Sequence, residues 1–279
     1  MKHKLQGSFN PKHLLLGFFL LGLLVIILRS SYSSSTDSLK SPAKSDGPTP
    51  ATPACVKIPP SLAAAVIHYA TSNVTPQQTF KEISVTARAL DKRSPCNFLV
   101  FGLGHDSPMW SALNHGGRTV FLEEDAAWME KVRARFPDLE SYHANYHTRV
   151  RDADDLMALR SKPECTEVGD VRSSECRLAL IDLPSVFYEL EWDLIMVDAP
   201  TGYFVDAPGR MGAIYTAGMV ARARREGETD VFVHDVDRAV EDKFSRTFLC
   251  EGYLKEQEGR LRHFSIPSHR SNTGVPFCP

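Results

Sequence analysis

Four short apolar runs, Asn97–Phe101, Thr119–Leu122, Asp193–Val197 and Asp230–Val233, are separated by stretches with the 3.6-residue periodicity of helices. Strands that read as continuous apolar runs must be covered on both faces. A chain that alternates them with helices therefore predicts an α/β fold: a doubly wound, mostly parallel sheet with helices on each side. The remaining segments fit that frame. Ser61 opens a helix, and Thr75-Pro76-Gln77-Gln78 reads as a capping-box start with proline in the first turn. Phe80, Ile83, Ala87 and Leu90 give that second helix an apolar face. A short helix is expected at Ser107-Pro108, another from Asp125 to about Arg135, and a third around Met211 to Arg224. Ser141 to Tyr146 is a weaker strand, and strand-like stretches near Gly252 and over Leu261–Ile266 close the chain. No internal repeat is visible.

Upstream lies a different kind of sequence. Leu14–Leu28 is fifteen residues without a charge, about 22 Å of helix against a hydrocarbon core of roughly 30 Å. Lys12 and Arg29 can snorkel to the two surfaces, so residues 14–28 are expected to be a transmembrane signal anchor and 1–13 a cytosolic tail. Arg29 directly after the apolar run, and the lack of a small-x-small cleavage site, argue against a cleaved signal peptide. Lysines and arginines are balanced across the span, Lys2, Lys4 and Lys12 against Arg29, Lys40 and Lys44, so orientation rests on the residues beyond the span. Residues 29–60 are rich in Ser, Pro, Thr and Ala and form a solvated stem. The chain's one glycosylation sequon, Asn73-Val74-Thr75, and all six cysteines (55, 96, 165, 176, 250 and 278) come after the span. Both features suit a lumenal domain over residues 61–279, where disulfides persist. Cys165 and Cys176 bracket a polar loop and can pair locally; the other four leave their connectivity open. No cysteine spacing matches a zinc site.

In a doubly wound sheet, ligands bind outside the carboxyl ends of the strands. Those ends read Gly102-Leu103-Gly104-His105-Asp106, Glu123-Glu124-Asp125, Asp198-Ala199-Pro200 and His234-Asp235. A glycine turn lets backbone approach a ligand closely, and an acid nineteen positions after Gly104, at Glu123, can accept both hydroxyls of a ribose. Together they describe a site for a nucleoside-type cofactor. The dinucleotide fingerprint needs a third glycine where Ser107 stands, and no GK[ST] motif comes after the glycines, so nicotinamide enzymes and P-loop proteins are disfavoured. With 32 Lys+Arg against 34 Asp+Glu, a net charge of -2 argues against nucleic acid as partner.

The pattern resembles a class I S-adenosylmethionine-dependent methyltransferase of Rossmann-like type. There the glycine turn holds the amino-acid part of the cofactor and the acidic strand end holds its ribose, which implies Gly102, Gly104, His105, Glu123 and Glu124 as cofactor-binding residues. Residues 97–108 (NFLVFGLGHDSP), 119–126 (TVFLEEDA), 191–204 (EWDLIMVDAPTGYF), 207–212 (APGRMG) and 230–239 (DVFVHDVDRA) are more specific. They resemble the plant polysaccharide-biosynthesis family that contains glucuronoxylan 4-O-methyltransferases, arabinogalactan methyltransferases and irregular-xylem type proteins. The likeness runs from about Asn73 to Pro279. Residues 138–147 (DLESYHANYH), 227–230 (GETD) and 259–271 (GRLRHFSIPSHRS) lie nearest the glucuronoxylan branch, whereas Phe204-Val205-Asp206 is less typical of it, and Phe101 stands where many methyltransferases carry an acid.

What the resemblance implies is methyl transfer from S-adenosylmethionine to the 4-hydroxyl of glucuronic acid side chains on xylan, by a Golgi-anchored type II membrane protein that associates with other xylan-synthesis proteins. A sugar hydroxyl needs its proton removed as the new bond forms. Asp198, His234 and Asp235 are the candidate bases, and Asp198 and Asp235 are the candidate ligands if a divalent metal takes part. A uronate suits a bidentate guanidinium; Arg210 is the first choice, and the C-terminal stretch of Arg260, Arg262, His263, His269 and Arg270, with Arg262 foremost, the second. Tyr203 is placed to stack on a sugar ring. Three other readings stand beside this one. Arabinogalactan presents the same uronate. A non-catalytic scaffold would keep the fold without the chemistry. A lumenal glycosyltransferase would use Asp235-Val236-Asp237 as a D-x-D metal motif.

Overall fold

A computed structural model describes residues 58–271 and 274–279. The expected membrane anchor, tail and most of the stem lie outside them; among the described residues, no helix is long and apolar enough to cross a membrane.

The architecture is a seven-stranded sheet: β1 (Asn97–Phe101), β2 (Arg118–Glu123), β3 (Ser141–His143), β4 (Leu194–Val197), β5 (Glu228–Val233), β6 (Leu254–Glu258) and β7 (Leu261–Pro267), in the order β3-β2-β1-β4-β5-β7-β6. The first five strands are mutually parallel, and β7 and β6 join antiparallel at one edge. The mostly parallel, doubly wound α/β sheet is thus as the periodicity predicts. Successive side chains of a strand leave on opposite faces, and the cores divide accordingly. Leu99, Phe101, Ile195, Val197, Val231 and Val233 pack into one cluster; Phe98, Val100, Leu194, Met196 and Phe232 pack into the other.

Helices cover both faces: α1 (Pro60–Thr71), α2 (Phe80–Arg93), α3 (Ser107–Leu113), α4 (Ala126–Arg135), α5 (Met211–Ala223) and α6 (Ala239–Phe244). Three expectations are corrected. The second helix starts at Phe80, with Thr79 and Glu82 forming the capping box, rather than at Thr75. Its buried stripe is Glu82, Val85, Thr86 and Leu90, and Phe80 is exposed. β3 stops at His143, three residues short of Tyr146; Ala144 N still donates to Glu123 O, the last residue of β2, and the pairing goes no further. Between residues 150 and 189 the chain makes short helical turns, stapled by the expected Cys165–Cys176 disulfide. A second disulfide joins Cys250 to Cys278, and Cys96 is a buried free thiol.

The chain leaves β1 toward β2 and β3 on one side, then returns to place β4 and β5 on the other. That reversal between β1 and β4 opens a crevice at the carboxyl ends of both strands, the position where this class of sheet binds ligands.

Candidate active site

The backbone ladder runs one residue past each strand. Gly102 N donates to Leu122 O, Asp198 N to Phe101 O and His234 N to Val197 O, which fixes the first residue after β1, β4 and β5 at the crevice edge. The cleft there has a volume of roughly 620 Å³, and Gly102, Gly104, Glu123, Asp198, Tyr203 and Arg210 are among its lining residues. Gly102 has φ +124°, and a Cβ on it would stand 3.3 Å from the Cβ of Ala199, so only glycine lets the turn fold tightly against β4. Glu123 braces the turn from the next strand: one carboxylate oxygen accepts from Leu103 N (3.0 Å), the other from Asp125 N (2.9 Å). Burial pushes its carboxyl up, and those backbone donors oppose the shift. Glu124 accepts from Thr201 N (2.7 Å) through Oε1, while its buried Oε2 has no partner. A tight glycine turn beside two cleft-lining carboxylates, one of them with an unpartnered oxygen, fits a hydroxyl-bearing, closely held cofactor.

Across the cleft, carboxylates and guanidinium groups interlock. Asp198 Oδ1 accepts from His234 Nδ1 (3.0 Å) and pairs with Arg210 Nη2 (3.2 Å), and Oδ2 accepts from Gln78 Nε2 (3.1 Å). Burial would raise the Asp198 carboxyl, but the His234 hydrogen bond and the Arg210 charge outweigh it and hold the group below its usual range. Asp235 pairs with Arg210 and Arg238 through Oδ2 (2.9 Å each) and with Arg260 through Oδ1 (2.7 Å). These bonds keep a non-glycine residue at φ +61°, a conformation that persists only when its surroundings enforce it. Glu82 connects the network to α2. It caps Thr79 N, accepts Arg260 N (2.7 Å), and stands 3.9 Å from the buried, unpartnered Nε2 of His234.

Of the three candidate bases, Asp198 and Asp235 line the cleft and His234, 1% exposed, lies behind them. His105 lines it too, with its ring edge-on to Trp128. Tyr203 stands at the rim, 74% exposed, with the Arg238 guanidinium 6.0 Å from its ring centre. Two acceptor assignments need correction. Arg210 reaches the cleft but is 4% exposed, and its donors go to Asp198, Asp235, Pro200 O and His234 O; it is an internal counterion. Arg262 is buried and bound to Asp242, Ser245 and Gln257, away from the cleft. Among the described residues, the arginines with accessible surface at the cleft are Arg238 and Arg260, at 30% and 38% side-chain exposure. Arg260 belongs to the basic stretch read from the sequence. Arg238 lies inside the stretch 230–239 and Gln78 inside the expected helix start, but the sequence singles out neither as a site residue.

Asp198, His234 and Asp235 bring ligand atoms within 4.8 Å of one another, a donor set of the kind divalent ions use. As arranged, all four carboxylate oxygens already accept from His234, Gln78, Arg210, Arg238 or Arg260. A divalent ion would be held there only with Arg210 moved off both aspartates, so the residues as they stand do not fit one.

The geometry can be set beside known proteins. A sequence profile of the family described as IRX15/IRX15L/GXM matches residues 81–264. Glucuronoxylan 4-O-methyltransferase 3 of Arabidopsis thaliana is 58% identical over 291 aligned residues, covering 100% of this chain and 98% of that protein. Arabinogalactan O-methyltransferase 2 of the same plant is 46% identical over 260 residues, covering 90% and 89%. Among solved structures, the O-methyltransferase TomG of Streptomyces achromogenes in complex with SAM aligns at 12% identity and a TM-score of 0.39, covering 77% of this chain and 92% of that one.

Proposed function

The chain belongs to the IRX15/IRX15L/GXM family, and from that premise we propose that it transfers a methyl group from S-adenosylmethionine to the 4-hydroxyl of glucuronic acid side chains of glucuronoxylan. The observation that carries this reading is the 58% identity to a glucuronoxylan 4-O-methyltransferase over 98% of that protein's length. The glycine turn, Glu123 and Asp198 gathered at one switch-point cleft support it. Bound there, the cofactor supplies the electrophilic methyl group. Gly102 and Gly104 let the backbone of the turn approach it closely, and the carboxylates of Glu123 and Glu124 would accept its ribose hydroxyls. Asp198 takes the proton of the acceptor hydroxyl as the oxygen–methyl bond forms. It is ionised at neutral pH, it lines the cleft, and its Oδ2 carries only the amide of Gln78. His234 orients Asp198 from behind. Arg238 and Arg260 are the cations available to the uronate carboxylate, with Tyr203 positioned for a sugar ring at the rim.

Placement in the cell is part of the proposal: residues 14–28 as a type II Golgi anchor, 29–60 as a stem and 61–279 as the lumenal domain, with a glycan at Asn73. Two disulfides support an oxidising compartment. The D-x-D glycosyltransferase reading loses its motif, because Asp235 is saturated by three guanidinium groups and Val236 is buried. Arabinogalactan remains the second acceptor, favoured by the 46% identity to a methyltransferase of that name.

The test is the purified full-length protein with labelled S-adenosylmethionine, offered glucuronoxylan and arabinogalactan oligosaccharides in parallel. Label is expected on the 4-position of xylan glucuronate and is expected to fall by about 10²–10⁴ in Asp198→Ala. Label on arabinogalactan instead would change the acceptor and keep the reaction. Transfer to neither, with no cofactor binding, would leave the scaffold.

A further inference from the structure

Six carboxylates line the cleft: Asp106, Glu123, Glu124, Asp125, Asp198 and Asp235. Five of them are answered by the protein. Glu123, Glu124 and Asp125 accept backbone N–H groups; Asp198 and Asp235 pair with guanidinium groups. Asp106 is different. Among the described residues its carboxylate accepts one hydrogen bond from another residue, the indole Nε1 of Trp110 to Oδ2 (2.8 Å), and no Lys, Arg or His nitrogen comes within 4 Å of it. Its other oxygen, Oδ1, turns toward the glycine turn, 3.2 Å from where a Cβ on Gly104 would stand. Burial, and then the negative charge of Asp198, push the Asp106 carboxyl above its usual range, the mark of a carboxylate lacking a positive partner.

The cleft therefore has two ends of opposite character. Arg238 and Arg260 stand at the Asp235 end and suit an anion. At the glycine-turn end, the Asp106 carboxylate lines the cleft without a cationic partner and feels the negative charge of Asp198, so a cationic group is favoured beside it. Phe101, the last residue of β1, is buried and apolar and supplies no charge. With the amino-acid end of the methyl donor on the glycine turn, we infer that Asp106 binds its α-ammonium group. This assignment rests on the methyltransferase reading above.

Calorimetric binding to the full-length protein separates the two claims. S-adenosylhomocysteine carries the ammonium group and no sulfonium; 5′-methylthioadenosine keeps the nucleoside and thioether and has no amino-acid end. Asp106→Asn retains an acceptor for Trp110 and removes the charge. It is expected to weaken S-adenosylhomocysteine by about tenfold or more while leaving 5′-methylthioadenosine within about twofold. Asp106→Glu, which returns the charge on a longer arm, is expected to recover part of the loss and carries the test if the asparagine variant does not fold. Unchanged S-adenosylhomocysteine binding overturns the assignment. An equal loss for both ligands overturns it in favour of a structural role. Weakening of S-adenosylmethionine alone moves the contact to the sulfonium and overturns it too. If the wild-type protein binds none of the three, the methyltransferase reading itself fails.

Discussion

Arg210 enters a pocket that already holds Asp198 and Asp235, and at 4% exposure it has no solvent to fall back on. Its planar fork meets both carboxylates through Nη2 while Nε and Nη1 hold Pro200 O and His234 O, a set of directions the single ammonium of a lysine cannot reproduce. Removing it leaves buried Asp198 without a guanidinium partner, while Asp235 keeps Arg238 and Arg260, so Arg210→Met is expected to cost about 3 kcal/mol at neutral pH. The pH dependence comes from Asp198. Its folded pKa lies below the unfolded one, so its contribution to stability is present above the unfolded value of about 4 and is lost as pH falls through the folded value. Melting temperatures of wild type and Arg210→Met should therefore converge as pH drops below about 4. A gap of constant size across pH would mean that Arg210 matters as packing volume. The sequence made Asp198 and Asp235 legible because they lie one and two residues beyond the ends of apolar strands. It also marked Arg210 as a cation between them, but not which carboxylates would consume it; that depends on the β4–β5 pairing, which no local pattern encodes.

Strand ends were the readable part of the fold, because a parallel strand buried on both faces is a continuous apolar run and its first polar residue falls at the crevice. Helix starts were less so, and α2 shows why. Thr75-x-x-Gln78 and Thr79-x-x-Glu82 both satisfy the capping-box pattern. Glu82 prevails because its second oxygen accepts Arg260 N at the β6–β7 turn, where Gly259 at φ +53° leaves it room: a Cβ there would stand 2.7 Å from Glu82 Oε1. Gln78 meanwhile is drawn to Asp198. Two tertiary contacts, invisible locally, choose between equal local signals. Thr79→Ala removes one cap bond and is expected to cost about 1 kcal/mol. Glu82→Ala should cost clearly more, since it frees the backbone N–H of both Thr79 and Arg260. Denaturant midpoints of the two variants test the order. Equal losses would mean that the contact to the hairpin contributes nothing.

At the scale of the whole molecule, the sheet's antiparallel edge and the C-terminal tail close one side of the core, and Arg222 lies where they meet. It is fully buried, with Phe277 O accepting from its Nε and Nη2, the Phe277 ring 4.0 Å from its Cζ, and Cys250 Sγ 3.0 Å from Nη2. Burial without a carboxylate lowers its pKa to about 10. The Cys250–Cys278 disulfide holds the tail on this cation, across a separation of 28 residues against 11 for Cys165–Cys176. Loop-closure entropy gives about 3.6 and about 2.8 kcal/mol for the two, and only the first also uncovers a buried charge. Cys250→Ser with Cys278→Ser should therefore lower the melting temperature more than Cys165→Ser with Cys176→Ser, and reductant should bring the wild type below either pair alone. Neither disulfide nor Phe277 lines the cleft, so below its melting temperature the reduced protein should bind S-adenosylhomocysteine as the oxidised one does. Loss of binding on reduction while the fold persists would show instead that the tail reaches the site through β7, whose register against β5 places Arg262 beside Val233, the residue before His234.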